Sequence, residues 1–578
     1  MCGIFGIISK NPDGANIAFK GLKDIEYRGY DSWGIAFEKD GQIEIIKEIG
    51  FLPEKLDLPQ SSIALGHTRW ATHGGVTREN AHPHTDCSGE IVLVHNGIVE
   101  NYLELKSTLG NHEFKSETDS EVIAHLIEEE IKNNSFKEAV LKVFKKLEGL
   151  SAIVVLYKDE IIACKKGSPL VVGKLSDGFI LASDPNALLP LTKELLFLED
   201  DQMIVLNSKI ELMDLKTEQN ITAEFKTVPW EYTSSTLEEY PHFMLKEIHE
   251  QPKVIRNILG NLEGAQKVAD MIKDAYGTYF IACGTAFYSC ILGTYLFSKF
   301  SKKHVNSSIG SEFNYSQDFL TDKSLLIAVS QSGESIDTLE PVIQAKKKGV
   351  KIIALVNVLG SSLYRIADYP LLLSAGVEKA VASTKAMIAM MSYMILLSLL
   401  QAGKEKEAVE ILEKSAKEVE KILSNQDKIK DLAEQIYQNK DMYILGRGLS
   451  YAVALESALK IKEVSYIHAE GFAGGELKHG TIALIEKGTP VIVYAPNDET
   501  FEANISNAME VKARGAFVIG VSYKNNPVFD YFFEVADTGA SSVIPTVVFA
   551  QLLAYFLTVK LGLNPDKPRN LAKSVVVR

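Results

Sequence analysis

The sequence predicts a multidomain α/β protein in which a β-rich domain precedes two similar α/β domains. Three observations support this prediction. The chain has 578 residues, more than one hydrophobic core usually organises. Up to about residue 230, short apolar strands alternate with glycine-containing turns. Beyond that point strands alternate with helices, which is typical of parallel sheets covered by helices.

Changes in composition mark the predicted domain boundaries. The β-rich domain covers residues 1–230, and a polar, charged stretch at 231–250 is predicted to be a linker. Matching strand–glycine–helix beginnings, TYFIACGTA and DMYILGRGLS, place α/β domains at 251–405 and 406–562, followed by a tail at 563–578. The longest apolar run, AMIAMMSYMILLSLL, is short for a membrane span and predicts a buried helix.

The opening segment MCGIFGI places a cysteine next to the N-terminus. Removal of Met1 would leave Cys2 with a thiol and a free α-amino group on the same carbon atom. A terminal amine titrates near pH ~8, so it can accept the thiol proton and activate the nucleophile. The alternative is a chance cysteine at a frayed terminus, and the other motifs of the domain distinguish between the two.

The β-rich domain also carries groups that such a nucleophile needs. In VHNGIVEN, Asn96 and Gly97 offer a side-chain amide beside an unhindered backbone N–H, which suits a tetrahedral oxyanion. Arg69 in HTRWATHGG suits a carboxylate, and Asp119 in SETDSEV suits an ammonium group. Each motif alone is also typical of ordinary structure, because NG forms hairpin turns and acidic residues favour helix N-termini.

Three hydroxyl-rich loops follow predicted strands of the first α/β domain: AVSQSGESIDT, CGTAFYS and VASTKA. Hydroxyl groups and unpaired N–H groups at the start of a helix bind phosphate. Serine and threonine also cap helices. Three such loops in one α/β domain nevertheless favour a sugar phosphate as ligand.

The second α/β domain contains a charged helix face in ALESALKIKEVSYIH. Glu456, Lys460 and Glu463 are spaced by four and three residues and therefore share one face. A surface ladder of ion pairs has the same spacing, but the surrounding helix is apolar, which favours an enclosed cleft. A carboxylate there would have the raised pKa that a general base requires. His479 in LKHG and Lys573 in the tail are further candidates.

Taken together, these motifs resemble a known family. MCGIFGI, YRGYDSWGIA, GHTRWATHGGVTRENAHPHTD, VHNGIVENY and SETDSEVIAHL are similar to the N-terminal-nucleophile glutaminase domain of class II glutamine amidotransferases, an αββα sandwich. The later segments, in their order, resemble the two tandem sugar isomerase (SIS) domains of the isomerizing glutamine–fructose-6-phosphate aminotransferases. The resemblance implies conversion of fructose 6-phosphate and glutamine to glucosamine 6-phosphate and glutamate, the first step of hexosamine synthesis.

The resemblance also assigns roles in the glutaminase domain. Cys2 attacks the glutamine amide, and Asn96 and Gly97 bind the oxyanion. The residues assigned to glutamine binding and to gating an internal ammonia channel are Arg28, Arg69, Trp70 and Asp119. Trp33 stands where relatives carry a small residue, so local packing is expected to differ there.

In the isomerase domains the resemblance assigns proton transfer between C1 and C2 to Glu463. His479 assists ring opening, and Lys573, in the tail that completes the sugar site, contacts the open-chain sugar. The residues assigned to the sugar phosphate are Thr285, Ser330, Gln331, Ser332, Ser335, Val381, Ser383, Glu456 and Lys460. Relatives often have serine at Ala286 and threonine at Ser335, so Thr285 is expected to replace a lost sugar contact.

Composition and family resemblance set further expectations. The net charge of −14 argues against nucleic acid and anionic membranes as partners. Five scattered cysteines predict a reducing cytoplasm. Neither a metal nor a redox cofactor is expected, and the family implies a homodimer. A zinc site is disfavoured because its neighbouring candidates follow no standard ligand spacing; they are His67, His73, His82, His84 and Cys87.

Two other functions remain open from the sequence. Another class II amidotransferase, such as a phosphoribosyl amidotransferase or an asparagine synthetase, would need a pyrophosphate-binding or ATP-pyrophosphatase loop, and neither motif is found. A sugar-phosphate-responsive glutaminase or sensor would lack amino-sugar synthesis. Such a sensor has no use for Glu463 and Lys573.

Overall fold

The computed structural model describes residues 2–228 and 236–574. The chain divides into two compact units. The first comprises Met1–Thr233 with Ser574–Arg578, and the second comprises Ser234–Lys573. Each unit has its own sheets and its own core.

The first unit is rich in strands, as its sequence predicts. Its strands are β1 (Gly3–Ser9), β2 (Ser32–Lys39), β3 (Gln42–Ile49), β4 (Ile63–Arg69), β5 (His84–Thr85), β6 (Ile91–Gly97), β7 (Ser151–Tyr157), β8 (Glu160–Lys166), β9 (Val171–Lys174), β10 (Gly178–Ala182), β11 (Glu194–Phe197), β12 (Gln202–Leu206), β13 (Ile210–Asp214), β14 (Asn220–Ile221) and β15 (Lys226–Thr227). Its α-helices are α1 (Gly14–Asp24), α2 (Tyr102–Ser107), α3 (Glu121–Glu130) and α4 (Phe136–Lys146).

These strands form two antiparallel sheets stacked face to face. One has the order β15-β11-β9-β10-β1-β4-β2-β3, and the other has the order β14-β13-β12-β8-β7-β6-β5. Apolar side chains from both sheets, such as Ile4 and Val154, form the core between them. Leu22 of α1 packs on the outer face of the first sheet, and Val140 of α4 packs on that of the second. The predicted αββα sandwich is confirmed.

The second unit alternates strands and helices. Its strands are β16 (Gly277–Ala282), β17 (Val305–Ile309), β18 (Ser324–Ser330), β19 (Lys351–Val356), β20 (Tyr369–Leu372), β21 (Asp441–Gly446), β22 (His468–Ala473), β23 (Pro490–Ala495), β24 (Phe517–Ser522) and β25 (Tyr531–Glu534). Its α-helices are α5 (Phe243–His249), α6 (Gln251–Leu259), α7 (Leu262–Asp274), α8 (Gly284–Leu296), α9 (Gly310–Phe313), α10 (Ile336–Lys347), α11 (Ser362–Ile366), α12 (Lys385–Gln401), α13 (Glu405–Ser424), α14 (Asp427–Ile436), α15 (Leu449–Ser465), α16 (Phe501–Lys512) and α17 (Val543–Lys560).

The two halves of this unit repeat one topology. Their parallel sheets have the orders β17-β16-β18-β19-β20 and β22-β21-β23-β24-β25, so in each half the first strand lies second in the sheet. One core joins the halves, with Phe280 and Met390 from the first half and Ile461 and Phe549 from the second. Two tandem α/β domains of the same type are therefore confirmed.

The apolar helices of this unit lie in its core. Helix α12, which contains the longest apolar run, is buried from Lys385 to Leu400, as predicted. The segment Gly539–Lys560 is long and apolar enough to cross a membrane by length and composition, yet most of it is buried within the unit. A core helix meets the same criterion.

The domain boundaries remain predictions, and one of them deserves a structural remark. Helix α5 lies inside the stretch 231–250 that was predicted to be a linker, and its Met244 and Ile248 are buried in the core of the second unit. Two buried apolar residues among many charged ones give too weak a periodicity for a helix to be predicted from the sequence.

Candidate active sites

Strand pairing brings Cys2 to the end of β4. Gly3 of β1 lies opposite Thr68 of β4, so Cys2 reaches the residues that follow that strand. The N–H of Trp70 donates to Sγ of Cys2 at 3.2 Å. Burial raises the pKa of the Cys2 thiol, and the N–H of Trp70 partly offsets this shift. The thiol therefore needs a base at neutral pH, as the terminal-nucleophile hypothesis requires.

Strand β6 of the facing sheet brings Asn96 to the same place. Nδ2 of Asn96 donates to the carbonyl oxygen of Cys2 at 3.0 Å, which leaves its second hydrogen available for an oxyanion. Nε2 of His67 donates to Oδ1 of Asn96 at 3.0 Å and so fixes the orientation of the amide. Burial lowers the pKa of His67 to about 3, which keeps the ring neutral. Sequence reasoning missed this role of His67.

Gly97 has a backbone that only glycine adopts readily. Its φ is +144°, and an added Cβ would lie 2.0 Å from the carbonyl oxygen of Leu150. The NG dipeptide therefore ends β6 without a side chain next to Asn96. We name Cys2, Arg69, Asn96, Gly97 and Asp119 the cysteine site.

Arg69 and Asp119 are buried, and both bind backbone groups. The guanidinium of Arg69 donates to the carbonyl oxygens of His73 and Gly75 at 2.5 and 3.0 Å. Oδ2 of Asp119 accepts from the N–H of Val99 at 2.7 Å. Both side chains thus order loops of the first unit, and their contact with glutamine remains a prediction.

Arg28 connects Cys2 to a buried carboxylate. Its Nη1 lies 3.3 Å from Oδ2 of Asp184, and its Nε donates to the carbonyl oxygen of Cys2 at 3.4 Å. The hydroxyl of Tyr27 donates to the same carboxylate oxygen. This network agrees with an ordering role for Arg28. Asp184 lies 156 residues from Arg28, and no motif pointed to it.

The two tryptophans near this site have different surroundings. Trp70 is half-buried, and its ring meets that of Tyr30 edge to face at a centroid distance of 5.8 Å. Trp33 is buried in the core beneath α1, where its Nε1 donates to the carbonyl oxygen of Phe51 at 3.0 Å. The large residue at position 33 is thus fully accommodated, while the gating role of Trp70 remains a prediction.

Three of the histidines weighed as zinc ligands form a stacked row. The ring centroids of His67 and His82 are 4.2 Å apart, and those of His82 and His84 are 4.4 Å apart. Burial lowers the pKa of all three rings. The row is therefore neutral, and no cysteine or carboxylate completes a ligand set within it among the residues that the structure describes.

In the second unit, the loop after β18 forms a turn with inward-facing amides. The N–H of Gly333 donates to Oγ of Ser330 at 3.0 Å, and the N–H of Glu334 donates to Oγ of Ser332 at 3.2 Å. Gly333 has a φ of +65°, and an added Cβ would lie 2.1 Å from Oγ of Ser361. The loop therefore takes this shape only with glycine at that position.

Ser335 ends this loop at the N-cap of α10. Its side chain makes no capping hydrogen bond, so its hydroxyl and the N–H groups of the first helical turn remain available to an anion. The carbonyl oxygen of Gln331 accepts from the N–H of Asn357 at 3.1 Å, which ties the loop to the end of β19. The arrangement fits a phosphate group.

Thr285, Glu456, Lys460 and Glu463 form what we name the lysine cluster. Nζ of Lys460 lies 2.5 Å from Oε2 of Glu463, 2.9 Å from Oγ1 of Thr285 and 3.6 Å from Oε1 of Glu456. Glu456 and Lys460 are 0% and 1% exposed, whereas Glu463 is 20% exposed. The charged face is thus buried and is no surface ladder, and Glu463 is its accessible carboxylate.

Burial separates the protonation states within the lysine cluster. It raises the pKa of Glu456 to about 8, so this carboxyl holds a proton at neutral pH. Burial alone would lower the pKa of Lys460, but the charges of Glu456 and Glu463 raise it above its ordinary value. A protonated lysine therefore pairs with Glu463, while Thr285 on α8 supplies the hydroxyl that Ala286 lacks.

Lys573 is held by a carboxylate that sequence reasoning missed. Its Nζ lies 2.5 Å from Oε2 of Glu378 and 2.8 Å from the carbonyl oxygen of Ala380. Ser383 Oγ donates to the same carboxylate oxygen at 3.1 Å. Burial alone would raise the pKa of Glu378, but the charge of Lys573 holds it below its ordinary value. Glu378 therefore joins Lys573 and Ser383.

Glu247 supports the same loop from α5. Its Oε1 accepts from the N–H groups of Lys379 and Ala380 at 2.5 and 3.3 Å, and burial raises its pKa to about 8. Val381 is buried and donates its N–H to the carbonyl oxygen of Asp566 at 3.0 Å. The predicted linker position concealed Glu247 from the sequence analysis.

His479 is the candidate that these contacts do not include. It is exposed in the 3₁₀ turn Glu476–His479. Within residues 2–228 and 236–574 it makes no hydrogen bond or ion pair with the lysine cluster or with Lys573. Its assigned role in ring opening remains a prediction.

Comparisons with known proteins match both parts of the chain. Residues 67–190 match the glutamine amidotransferase domain, and residues 271–402 and 435–555 match the SIS domain. Two relatives named glutamine–fructose-6-phosphate aminotransferase (isomerizing) align over 100% of both chains. The relative from Clostridium acetobutylicum is 41% identical over 611 residues, and that from Pyrococcus horikoshii is 42% identical over 600 residues.

A solved structure matches the second unit. It is the C-terminal domain of glucosamine-fructose-6-phosphate aminotransferase from Francisella tularensis, with 34% identity and a TM-score of 0.52. The match covers 58% of this chain and 100% of that chain.

Proposed function

The chain belongs to the family of isomerizing glutamine–fructose-6-phosphate aminotransferases, and we propose that it catalyses the reaction that gives the family its name. In this reaction the amide nitrogen of L-glutamine is transferred to D-fructose 6-phosphate. The products are D-glucosamine 6-phosphate and L-glutamate.

One observation carries this proposal: the same chain holds two different reactive centres. The cysteine site has a thiol next to an oriented amide donor. The lysine cluster has an accessible carboxylate beside a buried ammonium group. The first suits amide cleavage, and the second suits proton transfer next to a carbonyl group.

At the cysteine site, the α-amino group of Cys2 accepts the thiol proton, and the sulfur attacks the carboxamide carbon. The second N–H of Asn96 and the N–H of Gly97 stabilise the tetrahedral oxyanion. Its collapse breaks the C–N bond, and the leaving nitrogen takes the proton as ammonia. Water then hydrolyses the thioester to glutamate and restores the thiol.

At the lysine cluster, ammonia adds to the C2 carbonyl of open-chain fructose 6-phosphate, and water leaves to give an imine. Glu463 takes the proton from C1 and returns it to C2, which yields the aldehyde of the amino sugar. The loop Ser330–Ser335 would hold the phosphate during these steps. Lys460 holds Glu463 in its ionised form by pairing with it.

The proposal includes internal delivery of ammonia, because ammonium formed in water has no lone pair for attack on a carbonyl carbon. Glutamine labelled with ¹⁵N in its amide, together with excess unlabelled ammonium, should give amino sugar that retains the label. Label diluted to the solution ratio would show that nitrogen passes through the solvent.

The test of the function is product identification with purified protein and both substrates. The proposal predicts glutamate and glucosamine 6-phosphate in equal amounts, with glutamate release stimulated by fructose 6-phosphate. Glutamate without amino sugar would instead support the sugar-phosphate-responsive glutaminase. Binding of the sugar phosphate without either product would support a sensor.

We further propose a cytoplasmic homodimer in which His479 acts on the sugar site of the partner copy. Its exposure in one chain, away from Glu463, supports this assembly. Mixed Glu463→Gln and His479→Asn subunits should regain about a quarter of the activity, because half of the dimers would have one intact site. No recovery after subunit exchange, or a monomer in solution, would contradict the assembly. The five unpaired cysteines support the location.

A further inference from the structure

Four side chains with metal-binding atoms converge in the first unit, and none has a role in the proposed reaction. Cys87 lies in the turn between β5 and β6, His112 follows α2, and His125 and Glu128 lie on α3. Their ligand atoms all lie within 4.8 Å of one another. We name these four residues the Cys-His cluster.

The distances within the Cys-His cluster fit tetrahedral coordination. Sγ of Cys87 lies 3.5 Å from Nδ1 of His112 and 3.7 Å from Nδ1 of His125. Oε2 of Glu128 lies 3.0 Å from each of these two nitrogen atoms. A tetrahedral zinc ion with bonds of about 2.0–2.3 Å holds its ligand atoms about 3.3–3.6 Å apart. Only small shifts would therefore admit such an ion.

Further carboxylates lie beside the outer nitrogen atoms of both histidines. Nε2 of His112 lies 2.7 Å from Oε1 of Glu129, and Nε2 of His125 lies 3.8 Å from Oε1 of Glu121. A carboxylate in this position keeps the ring proton on Nε2 and leaves a lone pair on Nδ1. Both lone pairs then point towards the carboxylate of Glu128, an arrangement that a shared cation would hold together.

The stacked histidine row in the same unit provides an internal contrast. His67, His82 and His84 are also buried and close together, but neither a cysteine nor a carboxylate lies among them. The Cys-His cluster combines a sulfur, two imidazoles and a carboxylate. This is a ligand set that zinc accepts and that magnesium and calcium do not prefer.

We propose that Cys87, His112, His125 and Glu128 bind one divalent transition metal ion, with zinc as the preferred ion. Binding would release the thiol proton of Cys87 to solvent and form a metal–sulfur bond. Four protein ligands complete a tetrahedron and leave no position for a substrate, so the site is structural.

The ion would join three segments of the first unit. They are the β5–β6 turn, the chain after α2 and the helix α3, which begins directly after Asp119 and Ser120. Glu121 on α3 also accepts from the N–H groups of Lys115 and Ser116 at 2.8 and 2.7 Å. The metal would thus stabilise the segment that carries Asp119 without touching Cys2.

The experiment measures metal on the full-length protein, independently of catalysis. The protein is loaded with zinc, passed through a desalting column in metal-free buffer and analysed for zinc by mass spectrometry. We expect about one zinc per chain in the natural protein and roughly 10- to 100-fold weaker binding in Cys87→Ala and His112→Gln. His468→Gln is the matched control, because His468 is a surface histidine paired with Asp441 at 3.0 Å.

Cobalt provides a readout that needs no variant. Co²⁺ bound to the natural protein should show the intense visible bands of a tetrahedral site and a thiolate charge-transfer band that Cys87→Ala lacks. The proposal is overturned if the natural protein binds zinc no more tightly than Cys87→Ala, or if its cobalt spectrum is octahedral without thiolate bands. Either result would mean that protons alone hold the cluster. Loss of amino-sugar synthesis would leave this test unaffected.

Discussion

The cysteine site and the lysine cluster place their reactive groups in opposite electrostatic surroundings. Around Cys2 the partners are neutral: the N–H of Trp70, the amide of Asn96 and the unprotonated ring of His67. In the lysine cluster, a buried ammonium group faces two carboxylates and a hydroxyl.

The difference follows from the two kinds of chemistry. Oriented neutral dipoles stabilise a charge that develops on one oxygen atom and exchange no proton themselves. A cluster of charged groups instead divides protons, so that Glu456 holds one while Glu463 remains a base. Substitutions at the cysteine site should therefore lower the rate with little effect on stability. Substitutions in the lysine cluster should change both.

The largest expected effect comes from Cys2→Ala. Without the sulfur no thioester forms, and glutamate release should fall by about 10⁴-fold or more. Conversion of fructose 6-phosphate to the corresponding aldose phosphate should persist, because Glu463 does not depend on the thiol. Glutamate release is measured by a coupled dehydrogenase assay, and aldose formation is measured by chromatography.

Cys164→Ala is the matched control, because Cys164 is a buried cysteine of the same unit that belongs to the second sheet's core. It should retain glutaminase activity. Glutaminase activity that survives in Cys2→Ala would contradict the nucleophile assignment, and loss of the isomerase activity as well would contradict the separation of the two centres.

Glu463→Gln should have the next largest effect and reverse the pattern. Removal of a positioned general base typically lowers a rate by about 10²–10⁴-fold, so amino-sugar formation should fall within this range. Glutamate release should remain. Exchange of the C1 hydrogen of fructose 6-phosphate with deuterated water, followed by NMR, measures the proton transfer directly. Normal exchange in Glu463→Gln would exclude this residue as the base.

Asn96→Ala should have a smaller effect that is confined to the cysteine site. Loss of one oxyanion donor lowers kcat by about 10²–10³-fold, and KM for glutamine should change little because the donor acts mainly in the transition state. Asn101→Ala serves as the control, since Asn101 donates to the carbonyl oxygen of Lys146 elsewhere in the unit. A raised KM with unchanged kcat would assign Asn96 to ground-state binding.

The same comparison explains how far the sequence predicts these sites. Cys2, Asn96 and Gly97 stand in short motifs whose chemistry is visible locally. The lysine cluster was predicted from helix periodicity, because Glu456, Lys460 and Glu463 lie on one helix. The layers of the first unit and the paired sheets of the second followed from strand patterns and family resemblance.

The supporting residues could not be predicted because their partners are distant in the chain. Glu378 is 195 residues from Lys573, and Asp184 is 156 residues from Arg28. Neither pair has a fixed spacing that a pattern can reveal. The Cys-His cluster shows the same limit, since Cys87 was weighed with the histidines before it, whereas its neighbours His112 and His125 follow it.

The smallest effect expected concerns stability and the proton on Glu456. Its pKa is about 8 in the folded chain and about 4.3 in an unfolded one, so the folded state binds this proton more tightly. The resulting stabilisation is complete below the unfolded pKa and is lost as the pH rises towards 8. The slope is at most about 1.4 kcal/mol per pH unit.

Glu456→Gln removes this titration and keeps a neutral side chain of similar size. Its Tm relative to that of the natural protein should therefore rise steadily between pH 5 and pH 8 in calorimetric scans. Glu502→Gln, which alters an exposed carboxylate, should give a constant difference. If Glu456→Gln also gave a constant difference, Glu456 would be ionised in the folded state. The lysine cluster would then hold two charged carboxylates against one ammonium group, and its contrast with the neutral cysteine site would be larger still.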